Sequence, residues 1–438
     1  MNRRDMIKTT LSTVLALSTA GMANEKKSPE PKQTKRKSKP KHPRVVVVGG
    51  GWSGLSLAKS VKAFVPESEV TLVEKRYEFM SCPVSNPWLF DMVDLEFLTH
   101  SYIEAANNHG YDYVQATATG LDSKNNILKT TVGDIEYDYL VFALGIEYDY
   151  DKSTKGDKDL EHQLRMHYPG AFIPGSEHLT LKRKIENFKE GTFVLNVPSG
   201  NYRCLPAPYE RACLLADHFK QNKMKAKVLL LDANNEITIK PQGFHSAFDK
   251  LYKGYLQYEP NSEILKFDLK NKTLITEFDE FTFDDFAFYP SVRAPKLLEE
   301  LGLTIKTVYN RFEANLDHYT NKFVGYDNIY GCGDIRPMGF SKSGNTAYTE
   351  GENVARQIAA DIQGKKHNWE SPVTVCISLV SKKPHREISL VSQYKYDKKG
   401  ATFFNGTFTD EAWKTNDLGK NRALFTWAKA LYDNMFYI

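Results

Sequence analysis

Four consecutive valines, Val45 to Val48, run directly into Gly49-Gly50-Gly51-Trp52-Ser53-Gly54, a junction that reads as a buried parallel strand turning sharply into a helix. Residues 55–64 continue as that helix. Residues 70–73, Val-Thr-Leu-Val, form a second apolar strand that closes on Glu74. The glycines Gly49, Gly51 and Gly54 let the backbone approach a pyrophosphate at a helix N-terminus, with Trp52 and Ser53 in the same turn. Glu74, at the tip of the second strand, is placed to accept ribose hydroxyls. The unit therefore predicts a dinucleotide site.

Two further segments belong with it. Residues 138–145, DYLVFALG, read as a strand ending in small residues. Residues 328–334, NIYGCGD, read as a short strand that delivers Gly333 and Asp334 to the same ligand, and a helix over 345–360 follows. Between them, residues 192–197 and 227–232 flank a helix over 209–220, a second βαβ unit whose phosphate loop is gone. Where closely spaced glycines would be needed, the chain has PSGNYRCLP, residues 198–206. Two prolines, an arginine and a cysteine leave little room there for a second dinucleotide, so the electron donor is expected to be something other than a nicotinamide.

The fold class is α/β: two Rossmann-like domains plus a smaller C-terminal α+β domain. The expected boundaries are 44–174 with 286–362 for the first domain, 175–285 for the second and 363–438 for the third. The 438 residues suffice for this many cores. The formal net charge of +4 is misleading, because residues 1–43 carry eleven Lys/Arg against three acids and the remainder is therefore about −4. Such a body has no nucleic-acid footprint, and no metal site is expected.

Residues 1–23 read as a twin-arginine signal peptide: Arg3-Arg4, a modestly apolar stretch, and small residues Gly21 and Ala23 at a cleavage site. Residues 24–43, rich in Lys and Pro, read as a disordered basic linker. The expected location is periplasmic, where a lasting disulfide is permitted. No C-x-x-C-H occurs in the chain, so no c-type haem of its own is expected.

The segments VVVVGGGWSGLSLAK, MSCPVSNPWL, YRCLPAPYERA and GCGDIRPMGFSKSGNTAYTEGENVA together resemble the flavoprotein subunit of flavocytochrome c sulfide dehydrogenase, within the wider group that includes sulfide:quinone oxidoreductase. The likeness runs from Arg44 to the C-terminus. It implies FAD as cofactor, with Cys82 as a covalent anchor through a thioether and Asp334 on the ribityl chain. It also implies that Lys342, Ser343 and Gly344 belong to the cofactor-binding stretch, and that Cys204 and Cys376 form the redox-active disulfide. Cys213 and Cys332 are expected to be packing residues. Residues 288–294 and 304–316 depart from the family's pattern.

The mechanism so implied begins with hydrosulfide attack on one sulfur of the pair, leaving a persulfide and a thiolate, with Arg203 and Lys342 as candidate neighbouring cations. The expected partner is a separate c-type cytochrome subunit. Leu424, Trp427, Leu431 and Met435 fall on one helical face near the C-terminus; packing on the chain's own domain or on a partner is favoured there, and membrane contact is the other possibility. Two alternatives stand beside this reading: a sulfide:quinone oxidoreductase, and a non-catalytic flavin or sulfur-transfer partner subunit.

Overall fold

The computed structural model describes residues 42–308, 310–337, 339–397, 402–410 and 423–438. The expected signal peptide and all but the last two residues of the expected linker lie outside them.

The first sheet starts with β1 (Arg44–Val48), which leads into helix α1 (Trp52–Phe64) and returns as β2 (Glu69–Glu74). The strands β3 (Asp112–Gln115) and β4 (Tyr139–Phe142) follow. The chain then leaves for a second sheet made of β5 (Gly191–Val197), helix α2 (Ala207–Gln221), β6 (Ala226–Asp232), β7 (Leu256–Glu259) and β8 (Asp285–Ala287). It comes back as β9 (Ile329–Gly331), followed by helix α3 (Gly344–Gln363). The last part is an antiparallel sheet, β10 (Thr374–Ser381), β11 (Arg386–Tyr396) and β12 (Thr402–Asp410), with helix α4 (Ala423–Phe436).

The first sheet has the order β9-β4-β1-β2-β3 and every pair in it is parallel. The second has the order β7-β6-β5-β8, also parallel throughout. Strands of such sheets are buried on both faces, which is why they read as unbroken apolar runs rather than alternating ones. Val45 to Val48 of β1 are all buried, as are Val228, Leu229, Leu230 and Leu231 of β6. Because β8 pairs with β5, the second sheet runs through Ala287, two residues beyond the expected edge at 285.

Helix α3 lies against α1 at close range, and Gly351 makes this possible. A Cβ there would stand 2.4 Å from the Ser53 carbonyl oxygen, while the Ser56 hydroxyl donates to the Tyr348 carbonyl at 2.7 Å. The contact fixes the start of α3 beside the start of α1, so that both helix N-termini face one space. Of the expected stripe on α4, Leu424 and Met435 are buried against this chain and Trp427 and Leu431 half-buried, with Ala428, Tyr432 and Phe436 also buried. Gly351→Ala should lower stability by about 1–3 kcal/mol, the usual range for overpacking, read as a drop in the urea midpoint at unchanged slope.

Candidate functional site

That shared space is a cavity of about 500 Å³, within the range of small-molecule and cofactor sites. Gly49, Gly51, Trp52 and Ser53 form one end of it, at the N-terminus of α1. A Cβ on Gly51 would meet nothing, so the loop leaves room for a ligand. Gly54 faces the other way: a Cβ there would stand 1.8 Å from the Gly49 carbonyl oxygen, so this glycine closes the turn onto its helix. Glu74 lines the cavity and accepts from the Gly50 N–H at 2.7 Å and from Arg76 at 3.0 Å. Burial works to raise its carboxyl, but the Arg76 charge and these donors outweigh it and hold the group below its ordinary value.

The other wall comes from the β9–α3 connection and α4. Asp334, Ser343 and Gly344 line the cavity, and Gly333 abuts the Ser53 hydroxyl. Trp427 of α4 stacks on Trp52 with ring centroids 5.9 Å apart and an interplanar angle of 10°, and its indole N–H donates to Asn345 Oδ1 at 2.8 Å. The Trp52 indole N–H is buried at this wall without a protein partner. An open glycine loop at a helix N-terminus, a carboxylate at the strand tip and a buried donor at the wall fit a dinucleotide such as FAD.

Three cysteines enter the same cavity from three parts of the chain. Cys82 follows the strand Glu78–Met80, and its thiol donates to the Phe172 carbonyl at 3.4 Å. Burial raises its pKa, opposed by the charges of Arg203 and Arg211. Cys204 sits in the loop before α2 at a positive φ of 54°, held by a 2.6 Å bond from its N–H to the Lys342 carbonyl. Cys376 lies on β10. Cys204 and Cys376 line the cavity together as free thiols, close enough for each to shift the other's titration. The neighbouring Cys376 and burial drive the Cys204 pKa up, while Cys204 and the Lys240 charge draw that of Cys376 down against burial. Cys213 and Cys332 are fully buried in the core and line no part of the cavity.

The expected cations are placed differently. Arg203 lines the cavity but donates to Asp334 at 2.6 Å and to the Phe172 carbonyl at 3.1 Å. Lys342 is turned out of the cavity toward Glu313 at 3.2 Å and the Asp334 carbonyl at 2.8 Å. Neither is the cation at Cys376: that is Lys240, whose Nζ lies 4.0 Å from Cys376 Sγ. The residue stands just before the helix Pro241–Leu251, outside every motif of the sequence analysis.

Glu210 is the other residue missed. It sits six positions after Cys204 on the buried face of α2 and lines the cavity with Cys376. Its oxygens accept from the Leu379 N–H at 2.7 Å and the Asn86 amide at 2.8 Å. Burial pushes its pKa up to about 7 despite those donors. An acid within a buried helical face is the signal that could have found it.

The corresponding position in the second sheet is filled. Asp232, at the tip of β6, accepts from Tyr209 at 2.6 Å and Tyr258 at 3.0 Å and has no exposed surface. Tyr202, from the PSGNYRCLP loop, is also fully buried, bonded to Thr238 at 2.7 Å. Tyrosines thus occupy the carboxylate that a second nucleotide's ribose would need.

Two Rossmann-type sheets, one dinucleotide cavity and a thiol pair inside it define a flavoprotein oxidoreductase of the two-dinucleotide-domain class. Residues 178–288 match the central region of the sulfide dehydrogenase [flavocytochrome c] flavoprotein chain, and residues 12–166 match the pyridine nucleotide-disulphide oxidoreductases. The chain is 54% identical over 43 residues to the sulfide dehydrogenase [flavocytochrome c] flavoprotein chain of Chlorobaculum thiosulfatiphilum, 10% of this chain and 90% of that one. It is 22% identical over 315 residues to the mitochondrial sulfide:quinone oxidoreductase of Mus musculus, covering 69% and 67% of the two. The sulfide:quinone oxidoreductase structure from Aquifex aeolicus superposes with a TM-score of 0.71 at 17% identity, over 89% of this chain and 91% of that one. The chain belongs to the family of flavocytochrome c sulfide dehydrogenase flavoproteins and sulfide:quinone oxidoreductases.

The raised Glu210 pKa has a stability signature. The fold favours its neutral form, so its contribution is complete below the ordinary carboxylate value of 4.5 and is lost as pH rises through about 7. Thermal melts across that window should show the wild type losing ground to Glu210→Gln with rising pH, then a constant gap above it.

Proposed function

We propose that this protein is a periplasmic, FAD-dependent sulfide dehydrogenase subunit that oxidises sulfide through a Cys204–Cys376 disulfide and passes electrons to a c-type cytochrome. The observation that carries the reading is that both thiols line the dinucleotide cavity as neighbours. Residues more than 170 positions apart in the chain meet there in one buried place, the arrangement that disulfide exchange requires.

The chain's own residues divide the work. Gly49, Gly51, Trp52, Ser53, Glu74, Asp334, Ser343 and Gly344 hold the dinucleotide, and Cys82 is the proposed covalent anchor. Hydrosulfide attacks the disulfide: a new S–S bond forms, the old one breaks, and its electron pair stays on the released cysteine as thiolate. A second hydrosulfide attacks the outer sulfur of the persulfide, releasing a disulfane and a second thiolate. FAD, when bound, supplies the two-electron acceptor that returns the thiolate pair to the disulfide. Glu210, with a pKa near 7, can take or return the proton of an incoming hydrogen sulfide. The filled Asp232 position argues for sulfide rather than a nicotinamide as electron donor.

Export and a cytochrome acceptor are supported by the Arg3-Arg4 signal and the likeness to the Chlorobaculum flavoprotein chain. A quinone acceptor is the second reading, favoured by the name of the mouse relative. Among the described residues no helix is long and apolar enough to cross a membrane.

Cys204→Ser and Cys376→Ser should each abolish anaerobic bleaching of the flavin by sulfide while dithionite still bleaches it; bleaching by sulfide at the wild-type rate would overturn the disulfide reading. Reoxidation of the sulfide-reduced protein by cytochrome c, and not by a water-soluble quinone, is the expected acceptor result. Acid precipitation should leave the flavin with wild-type protein and release it from Cys82→Ser. NADH should leave the flavin oxidised.

A further inference from the structure

Lys240 is the cation set against the thiol pair, and its surroundings are unusual. The residue is only 4% exposed. The ammonium donates to Ser378 Oγ at 2.7 Å and to the Ile388 carbonyl at 3.3 Å, and lies 5.7 Å from the centre of the Phe244 ring. Among the described residues no carboxylate lies within ion-pair distance of it. Glu210, in the same cavity, is bonded by the Leu379 N–H and the Asn86 amide instead. A lysine is seldom buried without an anionic partner, because desolvation then goes uncompensated. The group in contact that can become an anion is Cys376, 4.0 Å away. Ser378, two residues further along β10, shares the face of Cys376 and accepts from the ammonium.

The pair is therefore electrically lopsided. Cys376 faces Lys240 from the segment before the helix Pro241–Leu251, Cys204 from the loop before α2, Ser378 from its own strand and Glu210 from α2. Cys204 has Cys376, Glu210 and Cys82 as its titratable neighbours, and the guanidinium of the adjacent Arg203 is taken up by Asp334 and the Phe172 carbonyl. In thiol–disulfide exchange the sulfur that departs is the one whose anion is better held.

We propose that Lys240 is a positioning residue that sets the polarity of the disulfide, holding the negative charge at Cys376 so that sulfide attacks Cys204. The inference rests on the Cys204–Cys376 disulfide proposed above. In the step, the hydrosulfide sulfur bonds to Cys204 Sγ, the Cys204–Cys376 bond breaks, and its electron pair remains on Cys376 beside the ammonium. The hydrosulfide hydrogen stays on the new persulfide at Cys204, and the disulfide is the oxidant.

The test uses the full-length flavin-loaded protein and the variants Lys240→Met, Lys240→Gln and Lys240→Arg, with flavin content checking the fold. Iodoacetamide labelling before and after reduction, resolved by peptide mass, reports the two thiols separately as a function of pH. In the reduced wild type Cys376 should label first and at lower pH than Cys204. Lys240→Met and Lys240→Gln should slow Cys376 labelling at pH 7 by about tenfold or more, the change that one pKa unit represents for a thiolate, and Lys240→Arg should restore it. One equivalent of sulfide, followed by acid quenching, should place the added sulfur on the Cys204 peptide. An unchanged Cys376 profile in both neutral variants, or added sulfur on the Cys376 peptide, overturns the role of Lys240. Both thiols labelling fully before reduction overturns the disulfide itself, a separate result visible in the wild type alone.

Discussion

Everything at the site depends on two thiols brought to the same cavity. Cys204 arrives on a loop of the second parallel sheet and Cys376 on a strand of the C-terminal antiparallel sheet, so they stay neighbours only while both sheets keep their places against the first. Several bonds maintain that alignment: the Cys204 N–H to the Lys342 carbonyl, and Glu210 on α2 accepting from the Leu379 N–H on β10. Glu210 thus ties α2 to β10 as well as lining the cavity, and burial of its carboxyl follows from that location.

The surrounding charges are arranged in two groups. Arg203 is engaged by Asp334 and lies beside Cys82, while Lys342 is neutralised by Glu313 below the loop. These serve the dinucleotide end and the loop. Lys240 is left to the thiol end, buried with neutral hydrogen-bond partners around it. A buried, weakly screened cation acts strongly on an anion formed nearby, which is why one lysine can bias a pair of otherwise similar sulfurs.

Much of this is legible in the chain itself. The valine run, the spaced glycines and Glu74 specify one βαβ unit because each feature has a local physical reason, and β1, α1 and β2 fall where those reasons put them, with α1 beginning at Trp52 rather than residue 55. The missing phosphate loop is equally readable; what fills the space, Tyr202, Tyr209 and Tyr258, is not, since it depends on which side chains a folded sheet brings to the Asp232 tip. Lys240 is invisible for the same reason: its neighbour Cys376 is 136 positions away. The helix α4 is readable in part. An apolar stripe at helical spacing shows that a face is covered but not by what, and here Leu424 and Trp427 cover the cavity of their own chain.

Peptide mapping of the as-isolated protein without reduction tests the central claim most directly. A Cys204–Cys376 cross-linked peptide that disappears when one equivalent of sulfide is added anaerobically is the result expected here. Two free, alkylatable thiols in a protein whose flavin is nevertheless bleached by sulfide would contradict it, and would move the chemistry away from the sulfur pair.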